Sequence, residues 1–545
     1  MQRYDYVVVG AGTAGCVLAN RLSENGKHTV LLLEAGPRDK YPWIHVPIGY
    51  AKTMFNPKYN WGFYTEPDPQ LNDRKVYWPR GRVLGGSSSI NGLIYIRGQA
   101  RDYDIWAQMG NEGWSYQDVL PYFRKMEGNE RGASTYHGGD GPLKCSDIHE
   151  RPELMEAIIR AGSELGVPRT DDFNGEHQEG IGYFQLFTHK GKRCSTAVAY
   201  LRSAETRGNL RIETGALVQR IIFEGKRATG IEYQQNGKTI IAAIDREVVL
   251  SAGAIQSPML LELSGVGNPE LLRSKGINIV HELPGVGEAL QDHLQFRLQF
   301  RCTKPITTND MLASVWGKLG MGMRYALNRT GPMAIGINHA GMFTQVLPES
   351  DGPDVQFHFA ALTASMAAAQ PDKFPGFTFS VCQLRPTSRG SVHIRDNRAD
   401  TAPIIHANYL STDLDWRCSL EAVKLARKLS NTAALQEYKE ADYIPSAEVQ
   451  SDDDLKEWMR ESASSIFHPS STCRMGRDSM AVVDPQLRVH GLQNVRVADC
   501  SIMPNLISGN TNAPVAMIGE KAADMILVAA RDTITPRPME FSAMS

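Results

Sequence analysis

The sequence has no excess of charge of either sign. Lys and Arg number 58 against 60 Asp and Glu, a formal net charge of -2 at pH 7. No basic field exists to hold a polyanion, so nucleic acid is excluded as an expected partner. Long apolar runs are missing as well. The run Met525 to Ala530 has six residues, whereas a bilayer span needs about 20, so no transmembrane segment is expected. Closely spaced cysteines are also lacking. The eight cysteines stand singly at Cys16, Cys145, Cys194, Cys302, Cys382, Cys418, Cys473 and Cys500. Without a Cys-x-x-Cys pair there is no zinc-ribbon spacing and no metal is expected. That usage fits a reducing compartment rather than a disulfide framework. No charged, then apolar, then small-residue leader precedes the first strand, so a secretory signal is not expected and the cytoplasm is the expected location. No internal repeat and no low-complexity tract is present.

What is present is a chain of 545 residues, 42% hydrophobic and 22% charged, the composition of a globular protein. At about 100–200 residues per domain it should form two or three interleaved domains. The end of the chain, from Arg531 to Ser545, carries two prolines and little apolar periodicity; its last residues, 536–545, read as a loose tail.

The opening residues predict a nucleotide site. Tyr4 to Val9 is a β-branched, apolar run suited to a buried parallel strand. Gly10-Ala11-Gly12-Thr13-Ala14-Gly15 follows at once and leads into a helical pattern from Cys16 to Leu22. Gly10 permits the tight turn, Gly12 lets backbone approach a pyrophosphate, and Gly15 lets helix and strand pack closely. The helix start, with Thr13 and Ala14, offers unpaired N–H groups to phosphate. A second buried run, Thr29 to Leu33, ends in Glu34 and Ala35, where an acid can accept from a ribose 2′-hydroxyl and repel a 2′-phosphate. An unrelated glycine-rich turn is the plain alternative. These residues do not separate NAD from FAD, because both carry the same ADP half.

Two later segments add a choice of cofactor. Gly81 to Gly92 is a glycine and serine loop containing Val83, Gly86 and Asn91, able to present backbone amides to an anion or a flat polar ring. Ser251 to Pro258, after the apolar strand Glu247 to Leu250, reads as a return to the nucleotide sheet. With these blocks the chain resembles the glucose–methanol–choline family of flavin oxidoreductases. The segments Gly81 to Asp104 and Gly253 to Gly267 match its two signatures. The likeness continues through Leu283 to His293, Ser388 to Val392, His468 to Gly476, Gly509 to Pro514 and Ile518 to Lys521. Within the family the blocks look most like bacterial choline dehydrogenases and their FAD alcohol dehydrogenase relatives.

The resemblance implies an α/β fold. It has a Rossmann-like FAD-binding domain from residues 1–155, 201–300 and 461–535. A second, substrate domain, from 156–200 and 301–460, is built on an antiparallel sheet. It implies FAD, held non-covalently because Ile90 stands where some relatives have a flavin-linked histidine. It further implies flavin contacts at Asn91, Gly92, Leu93 and Ile94, an adenine-side contact at Val218, and cofactor contacts at Phe467, Ala498, Asp499 and Asn510.

The chemistry follows from how an alcohol is oxidised. Hydride leaves carbon readily only as the hydroxyl proton is lost, so a base must sit within about 2.6–3.2 Å of that hydroxyl, beside a hydride acceptor. Histidine suits the task, with an ordinary pKa of about 6.5. Among 14 histidines, His468 stands in the family block His-Pro-x-x-Thr-Cys-Arg-Met-Gly and is assigned as the catalytic base. Asn512 is the second catalytic candidate, a neutral amide that donates to the substrate oxygen. As a plain alternative, Asn512-Ala513-Pro514 starts a helix and Asn512 caps it. His490 and His293 are read as structural, and His339 as a weak pocket candidate. The strand Val355 to Leu362 is read as a pocket wall whose aromatics, followed by the small residues Thr363 to Ala369, suit an uncharged primary alcohol.

The expected function is therefore FAD-dependent oxidation of an aliphatic or aromatic primary alcohol to the aldehyde. The alternatives are a choline dehydrogenase making betaine aldehyde and a non-redox flavin-containing lyase of the same fold. Oxygen or a quinone is the expected electron acceptor. A quinone is compatible with transient contact between the protein and the inner membrane.

Overall fold

The computed structural model describes residues 2–365 and 370–532. The end of the small-residue segment, 366–369, and the tail from 533 onward lie outside the described residues. The apolar opening run forms strand β1 (Gln2–Val9), followed directly by helix α1 (Thr13–Ser23) and strand β2 (Val30–Glu34), every residue of which is buried. β1 pairs in parallel with β2 on one side and with β3 (Lys238–Leu250) on the other. The first sheet runs Leu210–Thr214, β2, β1, β3, Arg227–Gln235, Ala216–Glu224, and Val495–Val497 also pairs with β3. The parallel centre and the antiparallel flank meet in β3, whose 13 residues are long enough to serve both. Gly10 turns the chain between β1 and α1 at φ +95°, and Gly15 packs against it so closely that a Cβ would lie 1.9 Å from the Gly10 carbonyl oxygen.

The second sheet is antiparallel. It contains β4 (Leu294–Cys302), β5 (Val355–Ala360) and β6 (Gly376–Gln383), in the order Lys439–Ile444, β4, β6, β5, Asn338–Thr344, Gly180–Tyr183. The chain enters this sheet at Leu294, ahead of residue 300 where the sequence places the change of domain, and touches it again at Ser464–Ser465. Its central strands β5 and β6 are buried on both faces, and their alternation separates two chemistries. Phe296, Phe300, Phe357, Phe359, Phe377 and Phe379 point one way, with Phe379 centred 5.0 Å from both Phe300 and Phe359. Gln295, Arg297, His358 and Ser380 fall on the opposite parity and line a cavity. The apolar side packs toward the helix Asp413–Ser430.

The last helix, α2 (Asn512–Asp532), lies along α1. Gly519 permits the approach, since a Cβ there would meet the Ala14 Cα at 3.1 Å. The starts of the two helices are tied together by the Thr13 hydroxyl, which donates to Asn512 Oδ1 at 2.7 Å. Two helix N-termini, each with unpaired N–H groups and the positive end of its dipole, therefore reach one cavity wall.

Candidate active site

A cavity of about 400 Å³ runs between the two sheets. One end is bounded by Gly10, Gly12, Ala14, Glu34, Ala35 and Val218, and Thr13, bonded to Asn512, stands where the two ends meet. The other end holds Asn91, Gly92, Leu93, Ile94, Phe467, His468, Asn510 and Asn512. Gly86 and Asp499 also line it. Of the residues assigned from the sequence to the cofactor or to catalysis, Gly15, Val83 and Ala498 stand behind the wall. Gly15 packs on Gly10. Val83 is buried with Ile44, Tyr59 and Ile90, and Ala498 is buried with its N–H on the Leu250 carbonyl and its own carbonyl accepting from Ser251.

The nucleotide end fits an ADP group. Gly12 and Gly86 are in such close contact that a Cβ on Gly86 would lie 2.6 Å from the Gly12 Cα, leaving backbone as the surface presented there. Glu34 is fully engaged with backbone: Oε2 accepts from Ala11 N–H at 3.0 Å and Oε1 from Gly36 N–H at 2.8 Å. Burial pushes its pKa up to about 7, against the lowering effect of those two bonds. Each oxygen retains a lone pair, so Glu34 both shapes the turn and can accept from a ribose hydroxyl. Asp499 is held by Gly253 N–H at 2.8 Å and Ser257 Oγ at 2.6 Å. Leu93 and Phe467, both without the freedom of glycine, sit at φ 72° on the cavity wall. Strain of this kind persists where the surrounding structure requires a particular backbone placement.

His468 is buried and its ring is held at both nitrogens. Nδ1 lies 3.0 Å from His293 Nδ1, and His293 Nε2 lies 2.9 Å from the Leu384 carbonyl. A carbonyl only accepts, so His293 carries its proton on Nε2 and accepts at Nδ1. His468 must then donate from Nδ1, which leaves Nε2 as an unprotonated lone pair. That nitrogen faces Asn510 Nδ2 across 3.3 Å, a long contact, while Asn510 Oδ1 accepts from Gln356 at 3.0 Å. Burial, and then the neighbouring His293, His358 and Arg80, hold the His468 pKa well below its ordinary value. The ring is therefore a neutral base throughout the neutral range.

The backbone of His468 is fixed by the same segment. Asp292 accepts from His468 N–H at 2.7 Å and from Tyr409 and Ser465 hydroxyls at 2.5 Å each. Sequence reasoning treats His293 as orienting a loop; the structure shows it in direct contact with the ring of His468, and the clue was its place in Gln291-Asp292-His293. Asn512 is the first residue of α2 rather than its cap. Its oxygen is taken by Thr13, so the amide NH2 is the group left to face the cavity.

Other expectations shift. The aromatics of β5, Phe357 and Phe359, face the core rather than the cavity; His358 between them faces it, with both ring nitrogens unpartnered among the described residues. His339 is buried off the cavity wall, and His490 bonds the Gly476 carbonyl at 3.0 Å. Tyr50, Trp61, Arg80, Gln295, Arg297 and Ser380 line the cavity and carry no motif. The signal for two of them was the alternation Leu294-Gln295-Phe296-Arg297-Leu298. A polar residue at every second place of a strand buried on both faces marks a polar cavity wall.

Comparison with known proteins gives a consistent result. Models of the GMC oxidoreductase family match residues 4–295 and 386–519. The chain is 46% identical over 532 residues to a mitochondrial choline dehydrogenase of Mus musculus, covering 96% of this chain and 89% of that one. It is 45% identical over 533 residues to an oxygen-dependent choline dehydrogenase of Escherichia coli O127:H6, covering 96% and 95%. Among solved structures, a formate oxidase of Aspergillus oryzae RIB40, studied for the effect of a mutation on FAD modification, superposes with a TM-score of 0.91. It is 26% identical, with 97% of this chain and 99% of that one covered.

Proposed function

This chain belongs to the GMC oxidoreductase family, is an FAD-dependent oxidoreductase acting on CH–OH donors, and we propose that His468 is the base and Asn512 the oxygen-directed donor of its alcohol oxidation. The supporting observation is the histidine relay from the Leu384 carbonyl through His293, which leaves His468 Nε2 unprotonated on the cavity wall, met only by the long 3.3 Å contact from Asn510 among the described residues. Bound FAD supplies the hydride acceptor, N5 of its flavin ring. The residues present fit that group: a glycine cradle and helix start would hold the phosphates, Glu34 the ribose, Val218 the adenine side and the Asn91–Ile94 backbone the ring. Ile90 offers no nucleophile for a flavin bond, which supports non-covalent binding.

His468 Nε2 takes the hydroxyl proton of a primary alcohol. The amide of Asn512 donates to the oxygen as negative charge gathers there, and cannot compete for the proton. Asn510 reaches the base at Nε2 across 3.3 Å, a contact long enough for a substrate hydroxyl to replace. The product is the aldehyde. His468→Ala should keep its FAD absorbance and lose about 10²–10⁴-fold in the rate of anaerobic flavin bleaching by a competent alcohol. A variant that binds FAD and bleaches at the wild-type rate would remove the base assignment.

Choline is the second reading, favoured by the identity to enzymes of that name. Anaerobic reduction by choline against neutral alcohols separates the two. For the electron acceptor, oxygen or a quinone, and for contact with a membrane, the support is a surface feature. No helix among the described residues is long and apolar enough to cross a bilayer. The helix Val315–Asn328, however, turns Trp316 and Leu327, each 80% exposed, outward together with Leu319 and Met323, while Met321 and Tyr325 face inward. Residues 311–330 contain Lys318, Arg324 and Arg329 and no acid. An apolar stripe flanked by cations suits a surface of anionic lipid, where a quinone is also found.

A further inference from the structure

Charged side chains around the cavity are accounted for, with one exception. Glu34 and Asp499 are its acids, and both are held by backbone N–H groups at the nucleotide strands. Arg80 donates to the carbonyls of Pro79 at 2.6 Å and Phe467 at 2.7 Å. Arg297 lines the cavity from β4, and its guanidinium has no hydrogen bond and no ion pair among the described residues. Burial holds its pKa below the ordinary value, opposed by Tyr50, yet a guanidinium stays protonated in proteins. Arg297 is half-buried, open to the cavity, and a cation partly withdrawn from water without a partner favours an anion beside it.

The surroundings of Arg297 favour an anion. Tyr50 Oη accepts from Ile337 N–H at 3.2 Å, so its own O–H remains available to donate. Ser380, directly opposite Arg297 in the sheet, has a hydroxyl with no partner among the described residues, and His358 lies directly opposite Ser380. The next row on the same face is Gln295, Cys382 and Gln356. Gln356 holds Asn510 and, through it, His468. Strands lie about 4.8 Å apart and residues two apart on one strand about 6.7 Å, so Arg297 is roughly 12 Å by Cα from Gln356. The cation thus stands away from the base, on the second sheet, whereas the phosphate cradle belongs to the first.

We infer that Arg297 is a specificity-determining residue that pairs with a carboxylate on the alcohol substrate, held several bonds from the carbinol carbon. The planar fork of an arginine matches a carboxylate in two parallel hydrogen bonds, assisted here by the hydroxyls of Tyr50 and Ser380. The same cation repels a quaternary ammonium, which would need an aromatic cage and a free carboxylate in place of this donor set.

This inference rests on the alcohol-oxidation reading, and the experiment separates the two. Flavin reduction in the holoenzyme is followed anaerobically with 6-hydroxyhexanoate, 1-hexanol and choline, in wild type and in Arg297→Gln. The expected result is kcat/KM at least about tenfold higher for 6-hydroxyhexanoate than for 1-hexanol and lowest for choline. Arg297→Gln should lose about 10²-fold on the hydroxy acid, chiefly in KM, and change on 1-hexanol by less than about threefold. Hexanoate should compete with 1-hexanol in the wild type and not in the variant. If 1-hexanol reduces the flavin but the variant leaves the ratio unchanged, or choline is the best of the three, the carboxylate assignment falls alone. Loss of FAD from Arg297→Gln would assign the residue to the cofactor and overturn it as well. If no alcohol reduces the flavin, the underlying function reading fails.

Discussion

A histidine becomes a dependable base only when one nitrogen is committed as a donor and the other is left unprotonated. Here the commitment starts at a main-chain carbonyl, Leu384, and passes through His293 to His468. His293 acts through His468 and is a positioning residue. Replacing it by alanine removes the acceptor for His468 Nδ1–H, so the ring can turn or take the other tautomer. His293→Ala should bind FAD and lower kcat by somewhere between about 10- and 10⁴-fold, the span between losing an orienting partner and losing the tautomer. The acid limb of its pH profile should also move up toward the ordinary histidine value, because water enters where a ring was. An unchanged pH profile with a reduced FAD content would instead mark His293 as merely structural.

At the scale of elements, parity along a strand and phase along a helix decide what faces what. The second sheet presents Phe on one face and Gln, Arg, His and Ser on the other, so the same strands make a dry core and a polar wall. The helix Val315–Asn328 does the reverse, sending its largest apolar groups outward. If that stripe meets a membrane, the holoenzyme should sediment with vesicles containing anionic phosphatidylglycerol and much less with zwitterionic ones. Trp316→Ser combined with Leu327→Ser should weaken binding by at least tenfold, since each buried side chain contributes about 1.5–3 kcal/mol. Equal binding by the double variant would dissociate the stripe from any lipid contact.

Across the whole molecule, four imidazoles are buried around the junction of the two sheets. Burial lowers His293 and His339 to about 4, His358 to about 3, and His468 well below its ordinary value. The unfolded chain takes up these protons below about pH 6.5 while the folded protein does not, so stability is full above that pH and is lost as pH falls toward 4. Each group contributes a slope of up to about 1.4 kcal/mol per pH unit. Glu34, raised to about 7 by burial, titrates in the opposite sense and offsets one of them. His137 and His393, both raised to about 9 by carboxylate partners that outweigh their burial, are protonated in both states below pH 6.5 and add no slope there. Thermal melts of the holoenzyme should show Tm falling steadily from pH 7 to 5, with a shallower fall in His358→Gln. A flat Tm over that range would contradict the burial of neutral histidines.

Local patterning carries the reading of the nucleotide end. A β-branched run, three glycines and an acid at the next strand end act within about 35 residues, where short-range turn and helix rules decide the backbone. The family blocks likewise mark His468 and Asn512 in the sequence itself. The substrate end was not readable in that way. Tyr50, Arg297, His358 and Ser380 come from four separate segments, and which residues of an apolar strand face a cavity depends on the partner strands and on what packs behind them. The tautomer of His468 depends on a carbonyl that precedes it by more than eighty residues. Proximity of that kind arises only when the sheets close on each other, because hydrophobic burial chooses the inward face and the polar residues of the other parity are left to the cavity.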